Sequence, residues 1–164
     1  MILIIKRKAF IYSKKMLQQT DKIIFGHPGI GKSFCRLTNP NIIVPDDDYK
    51  LEHLEHQYLR KHSDYQTWKN YVTDWWNTIK LDAKRDDKQI FVSNLFVLQM
   101  FPNDLDRVID LPYDVFIERM KCRGHYCEGR TEAWKTAINK EIRKIPQHKV
   151  FSTDKYLSDI LNNI

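Results

Sequence analysis

Residues 26–33 read G-H-P-G-I-G-K-S and match the pattern G-x-x-x-x-G-K-[ST] at every fixed position. A short apolar run at residues 22–25 precedes this stretch, and the helix-compatible segment S-F-C-R-L at residues 33–37 overlaps its end. Glycines allow successive backbone N–H groups to turn toward one point, because no Cβ blocks the approach of a ligand. A strand, a glycine loop and a helix in this order predict a phosphate-binding loop. The alternative is a chance turn, which would explain the glycines but not the strand and helix on either side of them.

Each residue of this loop has an expected part in binding a nucleotide. The side chain of Lys32 is long enough to bring its positive charge to the β- and γ-phosphates, and the Ser33 hydroxyl can occupy one position around Mg²⁺. ATP and Mg²⁺ are therefore the expected cofactors, and Lys32 is also a candidate catalytic residue. The residues predicted to contact the nucleotide are Gly26, His27, Pro28, Gly29, Ile30, Gly31, Lys32 and Ser33.

Short apolar runs alternate with helical patterns along the rest of the chain. Each run is rich in β-branched or aromatic residues and is bounded by turn residues, which is typical of buried strands. The runs lie at residues 22–25, 41–44, 89–93, 107–111 and 149–151. Strands that alternate with helices form parallel sheets, so this alternation predicts an α/β fold, and the glycine motif at residues 26–33 makes it one of the P-loop NTPase type. It would be a three-layer sandwich in which helices cover both faces of a five-stranded, mostly parallel sheet.

The helical patterns between these runs are amphipathic. The clearest is a stripe at spacings of 3, 4, 7 and 11, formed by Trp68, Tyr71, Val72, Trp75 and Ile79. Another helix is predicted around Leu51, Leu54, Tyr58 and Leu59. The remaining predicted helices lie at residues 113–122, 131–144 and 152–161. Aromatic residues at helical spacing usually pack against a core, so the stripe is not expected to bind a cofactor.

The composition fits one domain, since 42% of the 164 residues are hydrophobic. Five of the six net positive charges lie in residues 1–20, which contain no acidic side chain. We therefore predict a basic leader over residues 1–20 and a single domain over residues 21–164. The leader is either a solvated tail or edge strand, or an arm that contacts phosphate groups; a run of charge favours the first alternative.

No apolar run approaches the roughly 18 residues of a membrane span, so no contact with a membrane is expected. The apolar residues 1–5 precede the basic residues 6–8, which is the reverse of the order in a signal peptide. The three cysteines fit reduced thiols better than a disulfide framework. These observations together predict an intracellular, cytoplasmic protein.

Three consecutive aspartates, Asp46, Asp47 and Asp48, follow the second predicted strand. Ligands of open parallel sheets bind beyond the carboxyl ends of the strands, so these side chains are expected near the glycine loop. Such carboxylates can accept a proton from an attacking hydroxyl or hold Mg²⁺, which we assign to Asp46 through a water molecule. Asp46 and Asp48 are also candidate substrate contacts, although at least one of the three should face solvent or cap a helix.

The third predicted strand ends without an acidic residue. Asn94 stands where many NTPases place a magnesium-binding aspartate. The sequence therefore assigns the carboxylate chemistry to the three aspartates after the second strand, and it speaks against a motor or switch ATPase.

Arginines cluster after the fourth predicted strand. Arg119 and Arg123 are four residues apart, so they are expected on one face of a helix. Arg130 follows across a loop that contains two glycines, and we interpret residues 123–131 as a lid-like loop. Guanidinium groups on such a loop can neutralise the charge of a transferred phosphoryl group and help to exclude water. The alternative is a solvated basic helix.

A compact C-x-x-H-x-C pattern overlaps this region and consists of Cys122, His125 and Cys127. A structural zinc ion takes four ligands in tetrahedral geometry. Only Cys35 is left among the thiols, and nothing in the sequence brings it close, so we do not predict zinc.

Three motifs in order resemble the kinase domain of phage polynucleotide kinases and related small phage kinases. The first is G-x-P-G-x-G-K-S at residues 26–33, and the second is D-D-Y with a following basic residue at residues 47–50. The third consists of Asp110, Pro112, Tyr113, Arg119, Arg123 and Gly124. The resemblance covers roughly residues 22–145 and implies an adenylate-kinase-like sheet.

The resemblance also implies roles for particular residues. Asp47 would be the general base, Lys50 would contact a phosphate of the substrate, and Arg119 and Arg123 would bind the phosphates of the nucleotide, with Arg123 also catalytic. Lys50 stands where the phage enzymes carry arginine, so a bidentate contact is lost. Residues 49–88 show no clear similarity and are expected to form a helical insertion on the acceptor side.

The sequence therefore predicts an ATP-dependent kinase whose acceptor is a hydroxyl of a nucleic acid. The acceptor would be a 5′-hydroxyl or the hydroxymethyl group of a pyrimidine in DNA. A nucleoside or nucleoside monophosphate kinase is the nearest alternative, because residues 21–164 carry a net charge of only +1. A non-enzymatic ATP-binding regulator is a further alternative, supported only by the missing acid after the third strand.

Overall fold

A computed structural model describes residues 21–45 and 65–161, and within them one parallel sheet forms the centre of the molecule. Its strands are β1 (Ile23–Gly26), β2 (Ile42–Ile43), β3 (Gln89–Val92), β4 (Arg107–Asp110) and β5 (Val150–Ser152). They are arranged in the order β2-β3-β1-β4-β5, and every neighbouring pair is parallel. The prediction of a five-stranded parallel α/β sheet is confirmed.

Six α-helices accompany this sheet in the described part of the chain. They are α1 (Lys32–Thr38), α2 (Tyr65–Arg85), α3 (Leu95–Met100), α4 (Tyr113–Cys122), α5 (Arg130–Ile142) and α6 (Leu157–Leu161). Short 3₁₀ turns at Pro102–Asp104 and Gln147–Lys149 lead into β4 and β5. None of the described helices is both long enough and apolar enough to span a membrane.

The alternation of side chains along each strand supplies a core to both faces of the sheet. On one face, Ile24, Phe91 and Ile109 pack in a cluster with residues of α1, α4 and α6. On the other face, Phe25 and Val108 pack in a cluster with residues of α2, α3 and α5. Helices therefore cover both faces, and the strands are apolar at their centres, with polar residues such as Arg107 and Asp110 at their ends.

The connections that leave β1 and β3 run to opposite faces of the sheet. The helix after β1 is α1, which packs in the first cluster through Cys35. The helix after β3 is α3, which packs in the second cluster through Val97 and Leu98. Because β1 and β3 are neighbours, their carboxyl ends form a topological switch point, where open α/β sheets leave a crevice for a ligand.

Most of the predicted elements have their bounds shifted by one or two residues. The aromatic stripe lies on α2, where Trp68 and Val72 are buried while Tyr71, Trp75 and Ile79 are only partly buried. The fully buried Trp76 of the same helix is not part of the predicted stripe. The helix predicted at residues 152–161 is wrong over its first half, since Ser152 ends β5 and α6 begins only at Leu157. The helix predicted around Leu51–59 lies outside the described residues, as do the leader and part of the proposed acceptor-side insertion.

Candidate functional site

A large cavity opens at the carboxyl edge of the sheet, at the switch point between β1 and β3. Its volume is about 1020 Å³. Its walls come from the glycine loop (residues 26–33), from the segment that joins β3 to α3, from the loop between α4 and α5, and from the first turns of α5. These four parts of the sequence follow the carboxyl ends of strands or lie further along the chain, and all of them line the same cavity.

Two residues of the glycine loop have a backbone conformation that favours glycine. Gly29 has a φ of 88° and Gly31 a φ of 97°. A Cβ on Gly31 would lie 3.4 Å from the Tyr156 ring, and the amide of Leu157 donates a 2.8 Å hydrogen bond to the carbonyl of Ile30. The loop is therefore held from behind by the segment that enters α6, so its open side can face the cavity.

The lysine of the loop reaches across to the neighbouring strand. Lys32 Nζ donates a 2.5 Å hydrogen bond to Ser93 Oγ at the end of β3, and both residues line the cavity. Asn94 caps α3 by accepting a 2.8 Å hydrogen bond from the amide of Phe96. The end of β3 thus supplies a hydroxyl and an amide to the cavity where the sequence lacks an acid. Ser33 is exposed on the cavity wall.

Arg119 and Arg123 differ in their surroundings, although they are one helical turn apart. Arg119 is 8% exposed, and its guanidinium donates hydrogen bonds to the carbonyls of Gly29 and Asp154. The same group lies 3.9 Å from the centroid of the Tyr156 ring. Arg123 is the exposed C-cap of α4 and lines the cavity. Arg119 thus contacts the backbone of the glycine loop, whereas Arg123 lies on the cavity wall.

The lid-like loop predicted at residues 123–131 is shorter in the structure, because α5 already begins at Arg130. Arg130 is exposed and lines the cavity opposite the glycine loop. The Tyr126 hydroxyl donates a 2.5 Å hydrogen bond to Glu132, and this bond raises the pKa of Tyr126 to about 12. The amide of Cys127 donates to the Thr131 hydroxyl at 2.9 Å. The loop is thereby attached to the first turn of α5.

A buried polar network lies directly behind the glycine loop. His27 and Lys135 are both fully buried, and each contacts the carboxylate of Asp110 at the end of β4. The His27 Nε2–Asp110 Oδ1 distance is 2.6 Å, and the Lys135 Nζ–Asp110 Oδ1 distance is 2.9 Å. Lys135 also lies 3.0 Å from His27 Nε2 and donates a 2.5 Å bond to the carbonyl of Leu111.

The protonation states of the network follow from its geometry. Burial alone would raise the pKa of Asp110, but the hydrogen bonds from His27 and Lys135 outweigh it and hold this pKa below its ordinary value. Burial lowers the pKa of His27, the bond to Asp110 opposes this, and the nearby charge of Lys135 adds to it. His27 is therefore neutral, and Nε2 carries the proton because it faces an ionised carboxylate.

A neutral, buried His27 makes stability depend on pH. Unfolded His27 has an ordinary pKa of about 6.5 and takes up a proton below it, whereas the lowered pKa of folded His27 shifts its protonation to lower pH, so unfolding is favoured as the pH falls. We expect the free energy of unfolding to decrease by up to about 1.4 kcal/mol per pH unit below pH 6.5. Urea unfolding between pH 7.5 and pH 5 measures this slope.

The variant that tests this prediction is His27→Gln. Glutamine at position 27 can still donate a hydrogen bond but does not titrate, so the slope should become shallower. An unchanged slope in His27→Gln would contradict the assignment of a neutral His27 to the folded state.

His27 and Asp110 belong to motifs that the sequence reveals, but the sequence does not predict this network and indicates no role for Lys135. The remaining candidates, Asp46, Asp47, Asp48 and Lys50, lie outside the described residues. Within residues 21–45 and 65–161, no three histidine, cysteine, aspartate or glutamate side chains group closely enough to hold a metal ion. Cys122, His125 and Cys127 lie within these ranges.

Comparison of the chain with protein-family models and with curated proteins found no match.

Proposed function

We propose that the protein is a P-loop kinase with an adenylate-kinase-like fold, which transfers the γ-phosphoryl group of ATP to a hydroxyl of a nucleic acid. The observation that carries this proposal is the convergence of three cationic side chains on the cavity beside the glycine loop. They are Lys32 from the loop, Arg123 from the end of α4 and Arg130 from the start of α5. The all-parallel sheet with helices on both faces is compatible with such a fold.

The size of the cavity is compatible with a bound nucleotide. Pockets for single small molecules usually measure about 300–1,000 Å³, and this cavity reaches the upper end of that range at about 1020 Å³. The glycine loop and the arginines would take the triphosphate. The part of the wall formed by Ser93, Asn94 and Phe96 would remain for the acceptor, next to the switch point.

The residues of the site fit ATP and Mg²⁺ by the chemistry of their donors. Bound MgATP would supply the phosphoryl group and the divalent charge. Gly29 and Gly31 adopt the positive φ angles that glycine favours in such a loop, and Ser33 offers a hydroxyl oxygen for Mg²⁺. Lys32, Arg123 and Arg130 would neutralise charge on the phosphates. Asp46 would support the metal through water, and Asp48 and Lys50 would contact the acceptor.

The acceptor hydroxyl needs a group that takes its proton during transfer, and we assign this role to Asp47. We expect Asp47→Asn to lower phosphoryl transfer by about 10²–10⁴-fold while MgATP binding is retained. The side chain keeps its size in this variant but loses the ability to accept a proton. Loss of MgATP binding in Asp47→Asn would instead assign Asp47 to the metal.

The proposal is tested by transfer of labelled γ-phosphate from ATP to a panel of acceptors. The panel holds 5′-hydroxyl DNA and RNA, hydroxymethyluracil DNA, nucleosides and nucleoside monophosphates. Label on an oligonucleotide supports the nucleic-acid acceptor, and affinity for that oligonucleotide should fall with added salt. Label only on a small nucleotide would support the alternative that the near-neutral charge of residues 21–164 favours. MgATP binding without any transfer would favour an ATP-binding regulator.

A further inference from the structure

We propose that Lys135 is a positioning residue, which ties α5 to the glycine loop through Asp110 and His27. The inference rests on the proposed function, because α5 carries one wall of the cavity that would bind MgATP. Arg130, Thr131 and Trp134 of α5 line this cavity. Lys135 follows them directly, on the buried side of the same helix. A shift of α5 relative to the loop would therefore move cationic groups on opposite sides of the cavity.

The contacts of Lys135 join three elements at one point. Its ammonium group is within 3.0 Å of His27 in the loop, of Asp110 in β4 and of the Leu111 carbonyl beyond β4. Lysine is almost never fully buried unless it is paired. Burying its charge costs desolvation free energy, which these contacts offset. Because all three contacts must form together, they fix one register of α5 against the end of β4.

The charges around His27 show what the loss of Lys135 would do. The charged groups that face His27 are Asp110 from β4, Lys135 from α5 and, at longer range, Lys32 from α1. The rings of Phe25 and Phe116 complete its surroundings without charge, and Arg119 of α4 reaches the loop at Gly29.

Lys135 is the only cation among these groups that is hydrogen-bonded to Asp110, within the described residues. Without it, the Asp110 carboxylate would be left with a neutral partner, and His27 would be the nearest group able to take up a proton. The variant Lys135→Met keeps the approximate volume of the side chain and removes the charge. In this variant, His27 should titrate near neutral pH, and the geometry of the glycine loop should follow its protonation.

The first experiment measures MgATP affinity of wild type and Lys135→Met by calorimetry at pH 8 and at pH 6. We expect Lys135→Met to bind roughly tenfold more weakly than wild type at pH 8, within the usual range of coupling between sites. The affinity should recover toward the wild-type value at pH 6, where protonated His27 compensates Asp110. The double variant Lys135→Met/His27→Gln should lose this recovery.

Lys140→Met is the matched control, because Lys140 is exposed on the same helix. It should bind MgATP like wild type at both pH values. A pH-independent loss that is the same in the single and double variants would overturn the inference, since altered packing alone would explain it. Wild-type affinity in Lys135→Met would also overturn it. Failure of the wild-type protein to bind MgATP would overturn the proposed function itself.

A second measurement uses only the wild-type protein, so it can be made even if Lys135→Met does not fold. The ¹⁵N NMR signals of the His27 ring report its protonation and its tautomer. We expect a neutral ring at pH 8 with the proton on Nε2 and none on Nδ1, and a titration midpoint below that of an ordinary histidine. A proton on Nδ1, or a midpoint at or above that of an ordinary histidine, would overturn the network on which the positioning role depends.

Discussion

Replacement of Lys32 by alanine is expected to lower phosphoryl transfer from ATP by at least about 10²–10³-fold, the usual effect of removing one group that stabilises the charge of a transition state. Lys32 lines the cavity from the glycine loop, and its ammonium group reaches the end of β3 through Ser93. No other side chain of the loop carries a permanent positive charge. MgATP affinity should fall together with the rate, because the same charge would contact the phosphates before and during transfer.

Lys22→Ala is the control for this prediction. Lys22 precedes β1 at the opposite end of the sheet, and it forms an ion pair with Asp87 at 2.9 Å in which both side chains are solvent-exposed. Exposed pairs of this kind contribute little to stability, so activity and stability should both stay close to wild type. The thermal unfolding of Lys32→Ala should be measured in parallel. Full activity in a folded Lys32→Ala protein would contradict the assignment of residues 26–33 to phosphate binding.

The sheet could be predicted because its strands are marked locally. β3 and β4 are short β-branched runs between polar residues, and this pattern alone places them within one residue of their observed ends. The helix α3 was missed, since Leu95–Met100 offers five apolar residues among six and no helical periodicity. Its signal was Asn94, a favoured N-cap residue whose side chain accepts from the amide of Phe96. In the sequence alone, Asn94 is noticeable only because it stands where many NTPases carry a magnesium-binding aspartate.

The candidate site could be predicted only where it is contiguous in sequence. The glycine loop is eight successive residues, so its pattern survives in the sequence alone. The buried network behind it joins His27 to Asp110 across 83 residues and to Lys135 across 108. A lysine within an amphipathic helix is usually exposed, so nothing in the local pattern indicates that Lys135 is buried. Such contacts depend on how β4 and α5 pack, which is a property of the whole fold.

The two arginines of α4 provide the second prediction with a large effect, because the structure gives them different roles. Arg119→Ala should decrease the free energy of unfolding by about 2–4 kcal/mol, since it removes charged hydrogen bonds and the cation–π contact with Tyr156. Arg123→Ala should change stability by no more than about 0.5 kcal/mol, because Arg123 is exposed. Urea unfolding of both variants measures this difference.

The effects on phosphoryl transfer should be the reverse of the effects on stability. Compared as folded proteins, Arg123→Ala should lose more transfer activity than Arg119→Ala. Arg123→Ala should lower transfer by about 10²–10³-fold at saturating ATP, because a cation on the cavity wall would be lost without damage to the fold. Arg143 is the exposed C-cap of α5 and lies outside the cavity wall, so Arg143→Ala is the matched control and should leave transfer unchanged. A stable Arg119→Ala protein would contradict the structural role of its guanidinium. Equal activity of Arg123→Ala and Arg143→Ala would remove the cavity arginine from the transfer step, and charge neutralisation would then depend on Lys32 and Arg130.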